Sequence, residues 1–464
     1  MLTLALICLI PRAWMVIRCN TICADAVSYI AAASALEQGD LQPMLQTCSL
    51  NTYPPILVAL RWTGFEWITV SKLWSIAMTV LTIFPLFGWV RRQFDDQVAT
   101  FACVMYALHP MMAIISSWIV RDPTFWFLFN LSLYIIWRVV VEIRLPFFLM
   151  AGVILTLTVH TRTEGWLLII PLTLWSLWRL RTVPGNRRRL VIGTMSTLAT
   201  MLLLIHFATS TIIDGKTYWK LKHSPTTRSV RVIGGFVRSL QEDTPAIETK
   251  QVETGSKVPR NLSAWPLIRK LCNRFIKSFT YIYGLLVLIG LVAWRRVFFR
   301  FDQQALFLEN IVLFAAIVER SSGVLGGEHR YFATLMFLCM PYLTLGLFTT
   351  AGWLSWLYQF CFRNQKQMRP AFTMLLLLVV AGSGIYRCLD FQNLRAKQID
   401  LGCWILKEIG PDQHICGSIR EMRLVGYYSK GTPHPSSHEY LAQPVLYAIK
   451  KYDPHVVLLW NDWQ

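Results

Sequence analysis

Long apolar stretches separated by short basic loops constrain this chain more than any other feature. Eleven such stretches run roughly over 1–17, 68–90, 97–119, 124–141, 146–160, 165–179, 190–212, 279–294, 305–318, 331–358 and 371–386. With 54% hydrophobic and only 15% charged residues, a soluble domain would aggregate, whereas a polytopic protein has lipid as its solvent. Several stretches fall short of the ~20 residues that a straight span needs, which helices ending in a cavity would explain. The loops "RRQFDD" (91–96), "RLRTVPGNRRR" (179–189), "RRVFFRFDQQ" (295–304) and "RNQKQMR" (363–369) alternate as four cytoplasmic loops should. The N-terminus is then cytoplasmic and the C-terminus extracytoplasmic. The first stretch lacks a basic leader and runs into Pro11 and Arg18, so it reads as an uncleaved span.

The net charge of +19 would suggest nucleic acid in a soluble chain. Here it reads as basic loops facing anionic lipid or an anionic substrate, with no nucleic-acid partner. Trp14, Trp67, Trp89, Trp166 and Trp178 sit near the ends of apolar runs, where interfacial anchors belong. The eleven cysteines show neither CxxC nor zinc spacing. Cys8, Cys103 and Cys339 read as packing residues, while a disulfide among Cys19, Cys23, Cys48, Cys403 and Cys416 stays open.

Three longer segments fall outside the membrane: 18–67, 213–278 and 387–464. Residues 23–38 read as a surface helix, and "NTYPPILVALRW" (51–62) as a rigid turn at Pro54-Pro55 leading into an apolar stretch. The tail alternates helix with the strands "HICGS", "YYS" and "VVLLW", which suggests a small α/β domain. The expected architecture is therefore an all-α polytopic membrane protein of about eleven spans over 1–386, with extracytoplasmic surface helices. A C-terminal α/β domain over 387–464 follows it.

Four places carry candidate chemistry. Asp25, in "CADAVSYIAAASAL" (23–36), is either a helix N-cap or surface carboxylate, or a carboxylate held at the membrane interface where a half-lipid, half-polar substrate arrives. Tyr29 and Ala33 share its helical stripe. Asp122, in "SSWIVRDPTFWFLF", is either a turn cap before a helix-starting Pro123 or a second carboxylate sharing the cavity of Asp25. "HTRTEGW" (160–166) and "GGEHRYF" (326–332) place His160, Arg162, Glu164, Glu328, His329 and Arg330 in loops between spans. They either pair with one another or grip an anionic head group, since guanidinium suits phosphate geometry. His160 with Glu164, or Glu328 with His329, could hold a divalent metal, but their spacing assigns no metal site. HExxH, Walker A, GxGxxG and GxSxG motifs are absent from the sequence.

The order of these motifs resembles the C-type glycosyltransferases that use polyprenyl-phosphate sugars. The nearest branch is similar to the dolichyl-phosphate-mannose–protein mannosyltransferases and the aminoarabinose lipid A transferases. "DAVSYIAAA" (25–33), "YPPILVAL" (53–60), "SWIVRDPTF" (117–125), "RTEG" (162–165) and "HRYFATLMFLCMP" (329–341) carry the likeness in sequence order. The family often has Glu where Asp122 stands, and the mannosyltransferases often pair Asp with Glu where Asp25 is followed by Ala26. The loop 213–278 matches none of its motifs.

The resemblance implies inverting transfer of a sugar from a polyprenyl-phosphate donor to a glycolipid, glycan or protein hydroxyl. The reaction would take place at the outer face of a membrane, expected to be a bacterial inner membrane, with membrane lipids as partners. It implies Asp25 and Asp122 as catalytic carboxylates, and Arg330, Arg162, Arg121 and His329 as donor-phosphate ligands. Tyr29, Tyr53, Glu164 and Glu328 would position sugar or acceptor. The resemblance implies no nucleotide cofactor and leaves a divalent metal open. A transporter or flippase is the rival reading, opposed by the lack of related halves and of matched broken spans.

Overall fold

In the computed structural model the described residues are 1–19, 22–48, 50–212, 281–293, 295, 332–362, 368–390, 393–418, 425, 427–430, 432–436 and 456–457. The loop 213–278, the segment 305–318 and the "GGEH" turn lie outside them.

The described chain is almost entirely helical, as its apolar periodicity requires. In order it forms α1 (Leu2–Arg18), α2 (Ala24–Glu37), α3 (Leu41–Cys48), α4 (Tyr53–Arg61), α5 (Trp67–Leu81), α6 (Ile83–Gln93), α7 (Asp96–Leu108) and α8 (Pro110–Ser116). Then come α9 (Asp122–Glu142), α10 (Leu145–Thr161), α11 (Ile169–Thr182), α12 (Arg187–Ile212) and α13 (Tyr281–Ala293). The last helices are α14 (Phe332–Phe362), α15 (Arg369–Asp390) and α16 (Asn393–Glu408). Among the described residues, five helical segments are long and apolar enough to cross a membrane, or six when the bent pair α7–α8 is taken as one span. The protein is a multi-pass membrane protein.

The stretch 97–119 is not one continuous helix. It breaks between α7 and α8 with a bend of 58°. Pro110 is the cause: it drives His109 to φ −70°, ψ 118°, outside the helical region, and opens α8 as a helix-starting proline.

The Cα framework divides into two compact units. The first comprises Met1–Leu81, Ala107–Thr124 and Ala381–Gln464. Here the end of α1 packs against α8 and α15 through Met15, Cys19, Ala113, Ile114 and Cys388. Arg12, fully buried within α1, donates to the carbonyls of Cys8 (3.0 Å) and Ala107 (2.9 Å). The second carbonyl belongs to the broken end of α7, which would otherwise need a partner in an apolar surrounding.

The tail contributes a three-stranded parallel sheet in the order β2-β1-β3, formed by His414–Ser418 (β1), Thr432–Ser436 (β2) and Val456–Val457 (β3). Leu401, Ile405, Ile415 and Val425 make its small core. The "YYS" segment is helical rather than a strand, and the second strand lies just beyond it.

The second unit comprises Thr82–Tyr106 and Phe125–Val380. Its most enclosed helix is α14, whose 31 residues extend about 46 Å. Helices α13 and α14 cross at glycines: a Cβ on Gly290 would lie 1.8 Å from the Tyr342 carbonyl, and one on Gly346 1.8 Å from that of Leu286. Such small-residue crossings let backbones touch where lipid offers no hydrophobic driving force. Trp89, expected at the interface, is fully buried and donates to Asn130 Oδ1 at 3.0 Å. Burying its ring satisfies the indole N–H inside the bundle instead of in head groups.

Candidate functional site

Asp25 stands in the first turn of α2, whose sequence ADAVSYIAAASALE is rich in strong helix formers. The helix stops where Gly39 takes φ +83°. Cys23, not Asp25, occupies the N-cap position. The capping alternative therefore does not hold, although a carboxylate in a first turn still favours the helix dipole. Asp25 is half-buried.

One helical turn on, Tyr29 meets the ring of Tyr53 edge to face, with centroids 5.1 Å apart and planes at 85°. Tyr53 begins α4, and its N–H donates to Asn51 Oδ1 at 2.8 Å. Pro54 and Pro55 lie in the first turn of that helix rather than in a separate turn; their fixed φ and missing N–H suit it. Tyr53 is fully buried, and its hydroxyl points toward Ser71 and Ser75 without reaching close hydrogen-bond geometry. Burial, reinforced by Tyr29, pushes its phenol well up.

Asp122 opens α9 and is 1% exposed, with partly buried Arg121 before it. Its segment and that of Asp25 converge on one stretch of α5. Lys72 Nζ donates to the carbonyl of Cys19 (2.7 Å), at the end of α1. Trp74 Nε1 donates to Thr124 Oγ1 (2.9 Å), and Ser75 Oγ to the Trp118 carbonyl (3.2 Å). The thiol of Cys23 closes the set at 3.7 Å from the Ile119 carbonyl. Asp25 lies two residues past Cys23, and Asp122 three past Ile119. Two remote carboxylate-bearing helix starts are thus tied to each other and to α5.

Lys72 and Arg12 carry no assignment in the sequence reading. Their signal was present: each is the single charged residue in its apolar run, 68–90 and 1–17. A charge inside a span is costly and marks a functional or structural contact.

Arg162 and Glu164 belong to the second unit. Arg162 is 4% exposed and forms a two-point pair with Glu164: Nη2 to Oε1 at 2.7 Å and Nε to Oε2 at 3.2 Å. It also lies over the Phe125 ring at 5.5 Å. The turn carrying them presses on the end of α10, where a Cβ on Gly165 would sit 2.9 Å from Val159 N. The mutual-pairing alternative describes this contact. Glu328, His329 and Arg330 lie outside the described residues. Among the described residues no cluster of His, Cys, Asp or Glu could hold a metal ion. Among the described residues Cys19, Cys23 and Cys403 form no disulfide, and the side chains of Cys48 and Cys416 lie outside the described residues.

No family model and no curated protein matches the sequence. Solved structures do match the fold. AglB, an archaeal oligosaccharyltransferase from Archaeoglobus fulgidus solved with an inhibitory peptide and a dolichol-phosphate, superposes with TM-score 0.55 at 12% identity. That match covers 97% of this chain and 68% of AglB. ArnT from Cupriavidus metallidurans, bound to undecaprenyl phosphate, superposes with TM-score 0.50 at 11% identity over 97% of this chain and 86% of ArnT. The fold is that of the C-type glycosyltransferases. At such identities the likeness speaks for the C-type backbone arrangement and for no residue's role.

Proposed function

We propose that this chain is an inverting glycosyltransferase with about eleven spans. It moves a sugar from a polyprenyl phosphate to a lipid, glycan or protein hydroxyl at the extracytoplasmic face. The observation that carries this reading is the convergence of the helix starts bearing Asp25 and Asp122 on one stretch of α5, within a C-type glycosyltransferase fold. AglB and ArnT were solved with dolichol-phosphate and undecaprenyl phosphate, which supports a lipid-phosphate donor here.

In the proposed step the acceptor oxygen attacks the anomeric carbon, the bond from that carbon to the phosphate oxygen breaks, and the acceptor proton passes to Asp25. A half-buried carboxylate is a suitable base when held within reach of that proton. Asp122 orients the acceptor or raises the basicity of Asp25 by like-charge proximity. The departing phosphate gains charge, which Arg330, His329, Arg121 and Arg162 would stabilise by charge-assisted hydrogen bonds. Of these, Arg162 already shares its charge with Glu164, so Arg121 and Arg330 are the stronger candidates. Tyr29, Tyr53 and Glu328 would wall the sugar and acceptor site. In this reading 387–464 is an extracytoplasmic α/β domain appended to the membrane domain 1–386.

The test is transfer of label from polyprenyl-phosphate sugars by the reconstituted protein, with a membrane extract as mixed acceptor. Asp25→Asn should lose at least a hundredfold in rate, the lower end of general-base effects at about 10²–10⁴, with an unchanged unfolding midpoint. Full transfer by that variant would overturn the assignment. The broken span at His109–Pro110, with Arg12 bonded to its end, favours a transporter or flippase as second reading. Movement of an intact lipid-linked sugar across liposomes, without a new glycosidic product, would decide for it.

A further inference from the structure

The ends of α6 and α9 meet around one aromatic ring. A Cβ on Gly88 of α6 would lie 2.7 Å from Cδ2 and Cε2 of Tyr134 in α9, so that ring fills the space a side chain would take. One turn after Gly88, Arg92 holds its Cζ 5.2 Å from the centre of the same ring. One turn after Tyr134, Arg138 lies 5.9 Å from it and 4.3 Å from the ring of Phe147 in α10. Both guanidiniums are within cation–π reach of aromatic faces.

A single carboxylate answers them. Glu142, the last residue of α9, accepts from Arg138 at two points: Nε to Oε1 at 2.7 Å and Nη2 to Oε2 at 3.1 Å. Arg92 Nη1 comes no nearer than 3.8 Å to Oε1, and among the described residues its guanidinium makes no hydrogen bond. The Arg92, Arg138 and Glu142 side chains are 33%, 27% and 23% exposed, so the group is half-sheltered but open to one side. Arg144, exposed at the N-cap of α10, adds a further cation two residues on. Ile143 between them takes φ +50°, a conformation β-branched residues avoid, and packs with Tyr134 and Phe147 around buried Ile135, Val139 and Phe148. That forced turn brings the start of α10, and with it Phe147, back to Arg138.

An apolar track leads away from the arginines. Leu145, Leu149, Val153 and Leu157 recur every fourth residue of α10, and all four are exposed. Arg162 lies just past the far end of this 17-residue helix, about 25 Å away. No residue of the proposed transfer step takes part in the arginine group.

We propose that Arg92 and Arg138, walled by Tyr134 and Phe147, bind the phosphate of an anionic phospholipid whose acyl chain lies along the α10 track. Guanidinium forks match phosphate oxygens, and the charge left over after Glu142 selects an anionic over a zwitterionic head group. The track favours a lipid over free phosphate, which has no use for an apolar stripe.

The test is native mass spectrometry of the full-length protein in detergent, titrated with phosphatidylglycerol or with phosphatidylcholine of the same chains. One phosphatidylglycerol should be retained where phosphatidylcholine is not. Arg92→Met should weaken that binding roughly tenfold, the loss of one charge-assisted contact. Its lipid-free thermal midpoint should stay unchanged, because Arg92 is a third exposed. Arg91→Met removes a charge already paired with Asp96 and 58% exposed, and should leave binding as it was. Equal retention of the two lipids would overturn the proposal, as would equal losses in Arg91→Met and Arg92→Met, which mark a diffuse charge effect. Displacement of phosphatidylglycerol by millimolar inorganic phosphate would assign the site to free phosphate and overturn the lipid. Should Arg92→Met lower the midpoint, the two-lipid comparison and the phosphate competition on the unmodified protein still decide.

Discussion

Lys72 Nζ lies 2.7 Å from the carbonyl oxygen of Cys19, so a buried ammonium of α5 closes the end of α1. The carbonyls at a helix C-terminus carry partial negative charge and lack intrahelical partners, and a cation there answers both. Lys72→Met keeps the stem and removes the charge. It should cost about 1–3 kcal/mol by orphaning the carbonyl, read as a lower thermal midpoint in detergent. Transfer activity should fall with it, because the same contact fixes the backbone leading to Asp25. An unchanged midpoint would show that water or another donor replaces the ammonium.

Arg162 and Glu164 should behave as a unit. Their side chains are 3% and 16% exposed, so removing one charge strands the other. Glu164→Gln should destabilise by about 3–5 kcal/mol. The double variant Arg162→Met/Glu164→Met should recover most of that loss, since a buried ion pair is often no more stable than an apolar replacement. A double-mutant cycle on thermal unfolding measures the coupling. Additive losses would mean that the pair is not what holds the turn.

The crossing of α13 and α14 predicts a contrast between two glycines of one helix. Gly346→Ala places a methyl 1.8 Å from the Leu286 carbonyl, so the helices must separate, at about 1–3 kcal/mol or more. Gly352→Ala meets nothing within 4 Å and should be neutral or stabilising by up to about 1 kcal/mol. Equal effects in a denaturation series would contradict the close approach.

Tyr53 makes stability pH-dependent at the alkaline end. In the unfolded chain its phenol gives up its proton near pH 10, while burial pushes the folded value higher. Above that pH the folded protein binds more protons than the unfolded one, so stability falls as pH rises. Below it both states are protonated and the effect vanishes. Tyr53→Phe cannot ionise, and its unfolding midpoint should decline less between about pH 9.5 and 11. Parallel pH profiles for the two proteins would place the Tyr53 hydroxyl in contact with solvent.

How far the sequence goes differs from one part of the chain to another. Apolar runs with basic loops specify helices that cross a membrane, because each helix satisfies its own backbone in lipid whatever its neighbours are. The α2 segment is equally local: alanines carry the helix and Gly39 ends it. Pro110 marks the broken span for the same reason. It removes a donor and restricts His109 regardless of context. "HICGS" and the first residues of "VVLLW" are strands as patterned, but "YYS" is helical. A two- or three-residue aromatic run has no period of its own, and the packing of Gly402 against Val425 and Tyr428 decides it.

Asp25 and Asp122 could be singled out from their placement beside predicted spans, but nothing in their local sequence could say that their helix starts meet. That depends on Lys72, Trp74 and Ser75 reaching from one helix to the ends of two others, contacts separated by 43 to 53 positions in the chain. Arg162 and Glu164 lie only two residues apart, yet the burial of their pair beside Phe125 is something the sequence does not display. The sequence by itself determined the helices and their membrane setting, since those follow from short-range backbone chemistry and the solvent. Only the tertiary structure decided which helix starts meet and which charges hold the chain together, since distance and desolvation exist only once the helices have packed.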